Sequence, residues 1–329
     1  MQLHDDRLVI LTGGAGFIGS CILKKLNEKN INNVIVVDEM GESLKWKNLV
    51  GKKLLEYLHK DQLFEWLNQP DKHTEIEAII HMGACSSTVE TDVDYLMENN
   101  YRYTVKLAEY ALKHDIRFIY ASSAATYGDG RFGFEDNEDQ LEELQPLNAY
   151  GFSKHLFDLW AKDQGVLNQI TGLKFFNVFG PNEHHKERMA SVIYNLLPQV
   201  RAENIIRLFK SNDPANFGDG EQCRDFIYVK DAADVVMQIL TDDVYGIYNL
   251  GSGIANTWNS VASGMFGAIG KAPNIEYRSM PQDLHGKYQN YTRAEMSKLE
   301  KKLAKLKFTP LHDAIGDYIN NHLIPQKIY

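Results

Sequence analysis

The chain has 329 residues, 44% of them hydrophobic, which is enough for a buried core in one large domain or two smaller ones. A formal net charge of -9 excludes a surface built as a basic stripe to grip nucleic acid, though local cations can still hold an anionic small molecule. The first residues lack a basic start leading into an apolar stretch, and no apolar run of about 18 residues follows, so neither a secretory signal nor a membrane span is predicted.

Residues 8–11 form a short apolar run that ends in a glycine-rich turn. Residues 17–29 read as a helix whose apolar positions are Phe17, Ile18, Ile22, Leu23 and Leu26, and residues 34–37 are a second apolar run ending at Asp38. Continuous apolar strands belong where helices cover both faces of a parallel sheet. The rhythm repeats, with strands at 77–81, 116–120 and 172–176 and helices at 95–113 and 150–162. After Gly180-Pro181 the texture changes: a polar loop over 210–223, strands at 226–229 and 247–250 around a helix at 231–240, and a charged helix over 293–306. The predicted fold class is α/β, a Rossmann-type doubly wound parallel sheet with a smaller mixed α/β substrate lobe. A dinucleotide-binding domain is expected over residues 1–176, with segments near 225–250 returning to it. The substrate lobe is expected over 177–329, mainly 177–224 and 251–329.

The turn after the first strand reads Thr12-Gly-Gly-Ala-Gly-Phe-Ile-Gly19. Gly13, Gly16 and Gly19 match the glycine spacing of a dinucleotide loop, which needs a tight turn, a close backbone approach to the pyrophosphate and close helix–strand packing. The following helix offers free N–H groups to the phosphates. A lone glycine pattern is weak, but this one lies between a strand and a helix. Asp38 follows at the distance where an acid accepts from the adenosine ribose.

Tyr150 and Lys154 are four apart on a predicted helix, which puts them on one face. An ammonium beside a phenol favours the phenolate, so this pair can serve as a base. The spacing is common by chance and gains meaning from its company. Ser123, just past a predicted strand, stands where ligands sit in such sheets and can hold a reacting oxygen beside Tyr150. The cysteines Cys21, Cys85 and Cys223 are odd in number and far apart, which predicts reduced thiols. No metal site is expected, because His184 and His185 have no third ligand nearby.

Together these motifs resemble the extended short-chain dehydrogenase/reductases, from Thr12 to Gly19 through Tyr150-Gly-Phe-Ser-Lys154 and Phe176-Asn177-Val178-Phe179-Gly180-Pro181 to Arg224-Asp-Phe-Ile-Tyr-Val229 and Asn249-Leu-Gly251-Ser-Gly253. A narrower resemblance is to the ADP-L-glycero-D-manno-heptose 6-epimerases. It is carried by His81-Met-Gly-Ala-Cys85-Ser86-Ser87-Thr88, Tyr150-Gly-Phe-Ser-Lys154-His-Leu-Phe-Asp158, and the run from Gly180-Pro181 through Lys186-Glu-Arg188-Met189-Ala190-Ser191. Gly286-Lys-Tyr288-Gln289 fits as well.

The resemblance implies oxidation and re-reduction at carbon 6 of an ADP-heptose by a tightly bound nicotinamide cofactor, as a supply step for lipopolysaccharide core. It implies Tyr150 and Lys186 as acid/base groups on opposite faces, Lys154 as tyrosine activator and ribose ligand, and Ser123 as their polar partner. On charge pattern alone, Lys186 would be read as part of a solvated loop. The cofactor contacts implied are Gly13, Gly16, Phe17, Ile18 and Gly19 from the loop, Asp38, Glu39, Lys45 and Lys60 beside the ribose, and Met82, Gly83, Ala84, Cys85 and Ser86 opposite. Asn99 and Val178 complete the set with Tyr150, Lys154 and Lys186. Substrate contacts implied are Asn177, Arg188, Asn195, Phe209, Arg224 and Tyr288, with Ser123 shared. Arg224 is a candidate for the pyrophosphate, its alternative being an ion pair with Asp225.

Asp38 and Glu39 suit NAD, while Lys45 and Lys60 stand where the resemblance puts contacts to the 2′-phosphate of NADP, the expected cofactor. Arg188, where family members carry a small hydroxyl residue, and the long 212–223 loop depart from the family pattern. A cytoplasmic homo-oligomer is expected. Other readings remain: a 4-epimerase or dehydratase on another nucleotide sugar, or a non-catalytic relative. A dehydratase of this kind carries an acidic pair where this chain has Ala124-Ala125, and a dead relative tends to lose the Tyr/Lys pair kept here.

Overall fold

The computed structural model describes residues 7–281, 289–303 and 306–329. The first apolar runs become β1 (Leu8–Thr12) and β2 (Val34–Asp38), each buried along its whole length. They are followed by β3 (Glu56–His59), β4 (Ile76–His81), β5 (Arg117–Ser123), β6 (Ile170–Phe175), β7 (Asn177–Phe179), β8 (Ile206–Phe209), β9 (Cys223–Tyr228), β10 (Gly246–Leu250), β11 (Ala255–Thr257) and β12 (Ile275–Arg278).

The central sheet has seven strands in the order β10-β6-β5-β4-β1-β2-β3, all paired in parallel. Its side chains alternate between two faces, as the pleat requires. Val9, Leu11, Val34, Val36 and Ile80 enter one core cluster, and Leu8, Ile10, Ile35, Val37 and Ile79 enter the other. The chain runs outward from β1 to β3 and then crosses back to β4. This reversal opens a crevice at the carboxyl ends of β1 and β4, the position where such sheets bind ligands. A three-stranded sheet, β11-β9-β7, and a two-stranded one, β12-β8, lie outside the main sheet. β7 follows β6 with only Phe176 between them, so the small sheet begins at the carboxyl end of the large one.

Two expected helices differ in detail. The 95–113 segment is helical but includes a π turn, Met97–Arg102, between the helices Val93–Leu96 and Tyr103–Lys113. Within that turn Asn100 is buried and bonds both the Cys85 N–H and the Cys85 carbonyl. The charged helix expected over 293–306 is only Ser297–Glu300. The residues before it give their backbone groups to tertiary partners: Ala294 N–H donates to Asp225 at 2.9 Å, and the Glu295 carbonyl accepts from Asn249 at 3.0 Å. A backbone already bonded this way has no groups left for a helical ladder.

One buried charge pair ties the site-bearing helix to the sheet. Lys174 on β6 and Asp158 on the helix Ala149–Asp163 are both fully buried and 2.7 Å apart. Asp158 also accepts from Tyr120 and Ser122, and Lys174 donates to Thr126. A buried pair of this kind is expensive to break from one side, because the surviving charge stays desolvated. Lys174→Met should therefore destabilise the protein by about 3–5 kcal/mol, read as a lower urea midpoint. Lys174→Met with Asp158→Leu should recover much of that loss.

Candidate active site

The glycine loop is shaped by space. Gly13 has φ +66°, and a Cβ there would lie 2.6 Å from the Gly83 nitrogen. A Cβ on Gly19 would strike the Gly13 carbonyl oxygen. Backbone therefore packs on backbone between the first turn, the start of the helix Phe17–Glu28 and the segment after β4. Thr12 fixes the same junction. Its hydroxyl is 2.6 Å from His81 Nδ1 and accepts from Gly83 N–H at 3.1 Å. Burial pushes the His81 imidazole down to about 3, so it stays neutral.

A cleft of about 370 Å3 runs along this loop. Gly13, Gly16, Phe17, Ile18 and Gly19 form one wall, and Met82, Gly83, Ala84, Cys85 and Ser86 form the other. Tyr150, Lys154 and Lys186 line the cleft as well. The cleft shares Asp38, Lys45 and Gly83 with a second hollow of about 250 Å3, which adds Glu39, Lys60 and Asn99. The shape, the helix start without a side-chain cap and the acid at the end of β2 fit a dinucleotide, and these residues would hold it. A larger cavity of about 750 Å3, bordered by Pro181, His184 and Tyr318, contains none of the sequence-predicted residues.

At the end of β2 the charges are paired. Lys45 Nζ lies 2.9 Å from Asp38 Oδ1, and Lys60 Nζ lies 2.6 Å from Glu39. Asp38 also accepts from Ala15 N–H at 2.9 Å, which links β2 to the glycine loop. Lys60 donates to Asn99 as well.

At Tyr150, Lys154 and Lys186 burial dominates the chemistry. It raises the Tyr150 phenol above its ordinary value, and the Ser123 hydroxyl opposes that rise. It lowers Lys154 to about 8, opposed by Asp158 and Cys85. Lys154 Nζ donates to the Ala121 carbonyl at 2.9 Å, and the neighbour that opposes the rise at Tyr150 is the Ser123 hydroxyl. Lys186 is half-buried and lines the cleft, where its charged neighbours suggested a solvated loop. Its amine lies 5.6 Å from the Phe17 ring centre, and burial lowers its pKa against the pull of Glu183. Beside it His185 is pushed down to about 3, chiefly by burial and then by Lys45, and is neutral.

The substrate candidates are more scattered. Arg224 is buried, donates to the Cys223 carbonyl at 2.9 Å and packs over the Trp258 ring at 5.8 Å. The Asp225 carboxylate is taken up by Ser252, Gly253 and Ala294 backbone N–H groups. Arg188, Asn177 and Asn195 are exposed, and Arg278 stacks on Phe209 at 5.4 Å. Val178 is half-buried on β7 and does not line the cleft. Tyr288 lies outside the described residues. His185, Met189 and Glu183 were not foreseen. They sit in a run of charged residues, and only the fold shows which of them turn inward.

Residues 9–251 match the NAD dependent epimerase/dehydratase family. The ADP-L-glycero-D-manno-heptose-6-epimerase of Nitratidesulfovibrio vulgaris strain Hildenborough is 48% identical over 96% of this chain and 98% of its own. The enzyme of that name from Fusobacterium nucleatum is 42% identical over 98% of this chain and 100% of its own. Among solved structures, the Helicobacter pylori ADP-L-glycero-D-manno-heptose-6-epimerase superposes with a TM-score of 0.78 at 28% identity, covering 96% of both chains. A UDP-N-acetylglucosamine 4-epimerase from Methanobrevibacter ruminantium shares the fold with a TM-score of 0.79 at 24% identity over 99% of this chain and 100% of its own. The chain belongs to the NAD dependent epimerase/dehydratase family and groups within it with the ADP-L-glycero-D-manno-heptose-6-epimerases.

Proposed function

We propose that this protein converts ADP-D-glycero-D-manno-heptose to ADP-L-glycero-D-manno-heptose by transient oxidation and re-reduction at carbon 6, supplying heptose for lipopolysaccharide core. The observation that carries this reading is that Tyr150 and Lys186, from distant parts of the chain, line one cleft with the dinucleotide loop. The names of relatives at 42–48% identity support the substrate. When bound, the nicotinamide cofactor supplies the hydride acceptor and donor. Tyr150 exchanges a proton with the carbon 6 oxygen on one face, held by Ser123, and Lys186 does so on the other. A phenol kept protonated by burial is ready to donate, and an amine with a lowered pKa is ready to accept. Ala124 and Ala125, where a dehydratase would carry acids, favour epimerisation.

Arg224, Arg188, Asn177, Asn195, Phe209 and Tyr288 are the proposed substrate contacts. On this reading nucleotide-sugar binding falls mainly to residues 177–224 and 251–329, and dinucleotide binding to residues 1–176. Cytoplasmic homo-oligomers belong to the same reading. The exposed Leu44, Trp46, Val50 and Leu55 support self-association.

Tyr150→Phe should keep the fold and its cofactor but lose epimerisation by about 100-fold or more, the scale of one general acid/base. Turnover near the wild-type rate would remove Tyr150 from the mechanism. Lys186→Met should be similarly slow in epimerisation yet still dismutate a 6-aldehyde sugar analogue to acid and alcohol, because one face remains served. The double mutant should be inert in both assays. The cofactor is inferred to be NADP, on the reach of Lys45 and Lys60 to the end of β2. Mass spectrometry of the cofactor released from purified protein checks this, and finding NAD alone would overturn it.

A further inference from the structure

The loop that presents Lys186 is built around a buried carboxylate. Residues 184–189 form a 3-10 turn that Glu187 interrupts, with φ 48° and ψ -120°. A left-handed non-glycine residue stores local strain and persists only where its surroundings hold it. Glu183, 1% exposed, sits at the start of this turn. One of its oxygens accepts from Ser191 N–H at 2.5 Å. The other accepts from the Ser191 hydroxyl at 2.6 Å and from the Tyr318 hydroxyl at 2.9 Å. Ser191 is also the N-cap of the helix Val192–Glu203, and Tyr318 ends the helix Leu311–Tyr318. Glu183 thus closes the loop onto two helices, while its own carbonyl accepts from Lys186 N–H at 2.9 Å.

Burial raises the Glu183 pKa, and all three bonds oppose that rise because they run toward the carboxylate, the form they satisfy. We propose that Glu183 is a positioning residue for Lys186: it clamps the loop that aims the amine into the cleft and keeps a negative charge three residues from it. This rests on the reading of Lys186 as the second acid/base group. The other charged or titratable groups around Lys186 do not replace that charge. Lys45, Lys154 and the neutral His185 border the cleft with Tyr150 and Cys85. Asp38, also at the cleft, is bonded to Lys45. On its own turn His184 bonds the Leu44 carbonyl, while Glu187 and Arg188 are exposed. Burial lowers the Lys186 pKa and Glu183 raises it, so removing the charge lowers it further. The limb of the pH–rate profile that belongs to Lys186 then moves to lower pH, whether the amine gives or takes the proton.

The experiment is the pH dependence of kcat for epimerisation in wild-type protein, Glu183→Gln and Lys186→Met, with bound cofactor and circular dichroism as checks on the fold. The Lys186 limb is the one present in the wild type and missing from the residual activity of Lys186→Met. In Glu183→Gln it should move to lower pH by about one unit, the scale at which one neighbouring charge acts. A folded Glu183→Gln protein with the wild-type profile overturns the proposal. Full turnover in Lys186→Met overturns instead the reading on which it rests. If Glu183→Gln does not fold, Ser191→Ala and Tyr318→Phe each remove one donor and keep the charge. Each should lower kcat several-fold with the limb in place, and full turnover in both overturns the clamp.

Discussion

Between the carboxyl ends of β1 and β4, the backbone of Gly13 runs so close to that of Gly83 that no side chain fits between them. That contact joins the two halves of the sheet where the chain reverses direction. The Gly13 carbonyl in turn receives Gly16 N–H at 2.9 Å and packs against Gly19, which sets the entry of the first helix. A side chain at any of these points would open the crevice and move the helix start away from the phosphates it is shaped to meet. The Thr12–His81–Thr104 bonds carry the constraint inward, with the neutral imidazole bridging two hydroxyls at 2.6 and 2.8 Å.

The same crevice explains why its titratable groups are far from their solution behaviour. Tyr150, Lys154 and Lys186 are all drawn toward their neutral forms by desolvation, and each is opposed chiefly by one polar or charged neighbour. Ser123 acts on Tyr150, Asp158 on Lys154 and Glu183 on Lys186. Asp158 also belongs to the buried pair with Lys174, so the helix that carries Tyr150 and Lys154 is fixed to the sheet by the residue that favours the charged form of Lys154. Stability and chemistry here depend on the same bonds.

The two small sheets are built largely of short elements. β7, β8, β11 and β12 have only three or four residues each. They are held by pairing partners far away in sequence, as β9 holds β7 and β11. The Asn182 side chain, in a left-handed backbone position, bonds Ser20 of the first helix at 2.9 Å. Its carbonyl accepts from Asn48, which reaches Ala15 as well. The loop bearing Lys186 is thereby referenced to the dinucleotide loop itself.

By itself the sequence determined the parallel sheet, the glycine loop and the acid at the end of β2, because each is a local pattern. Apolar runs, glycine spacing and strand–helix alternation all act within about thirty residues. It also singled out Tyr150 with Lys154 as candidates by their helical spacing, and Lys186 only through its motif. Tertiary structure alone decided which charges face inward. Glu183 and Lys186 lie in a run of six charged or histidine residues from 183 to 188, where periodicity carries no sign of burial. The partners that bury Glu183, Ser191 and Tyr318, are eight and 135 residues away. Likewise the 293–306 segment has helical composition, yet Asp225 and Asn249 claim its backbone groups from a distance. Local propensity cannot register bonds whose other half lies elsewhere in the chain.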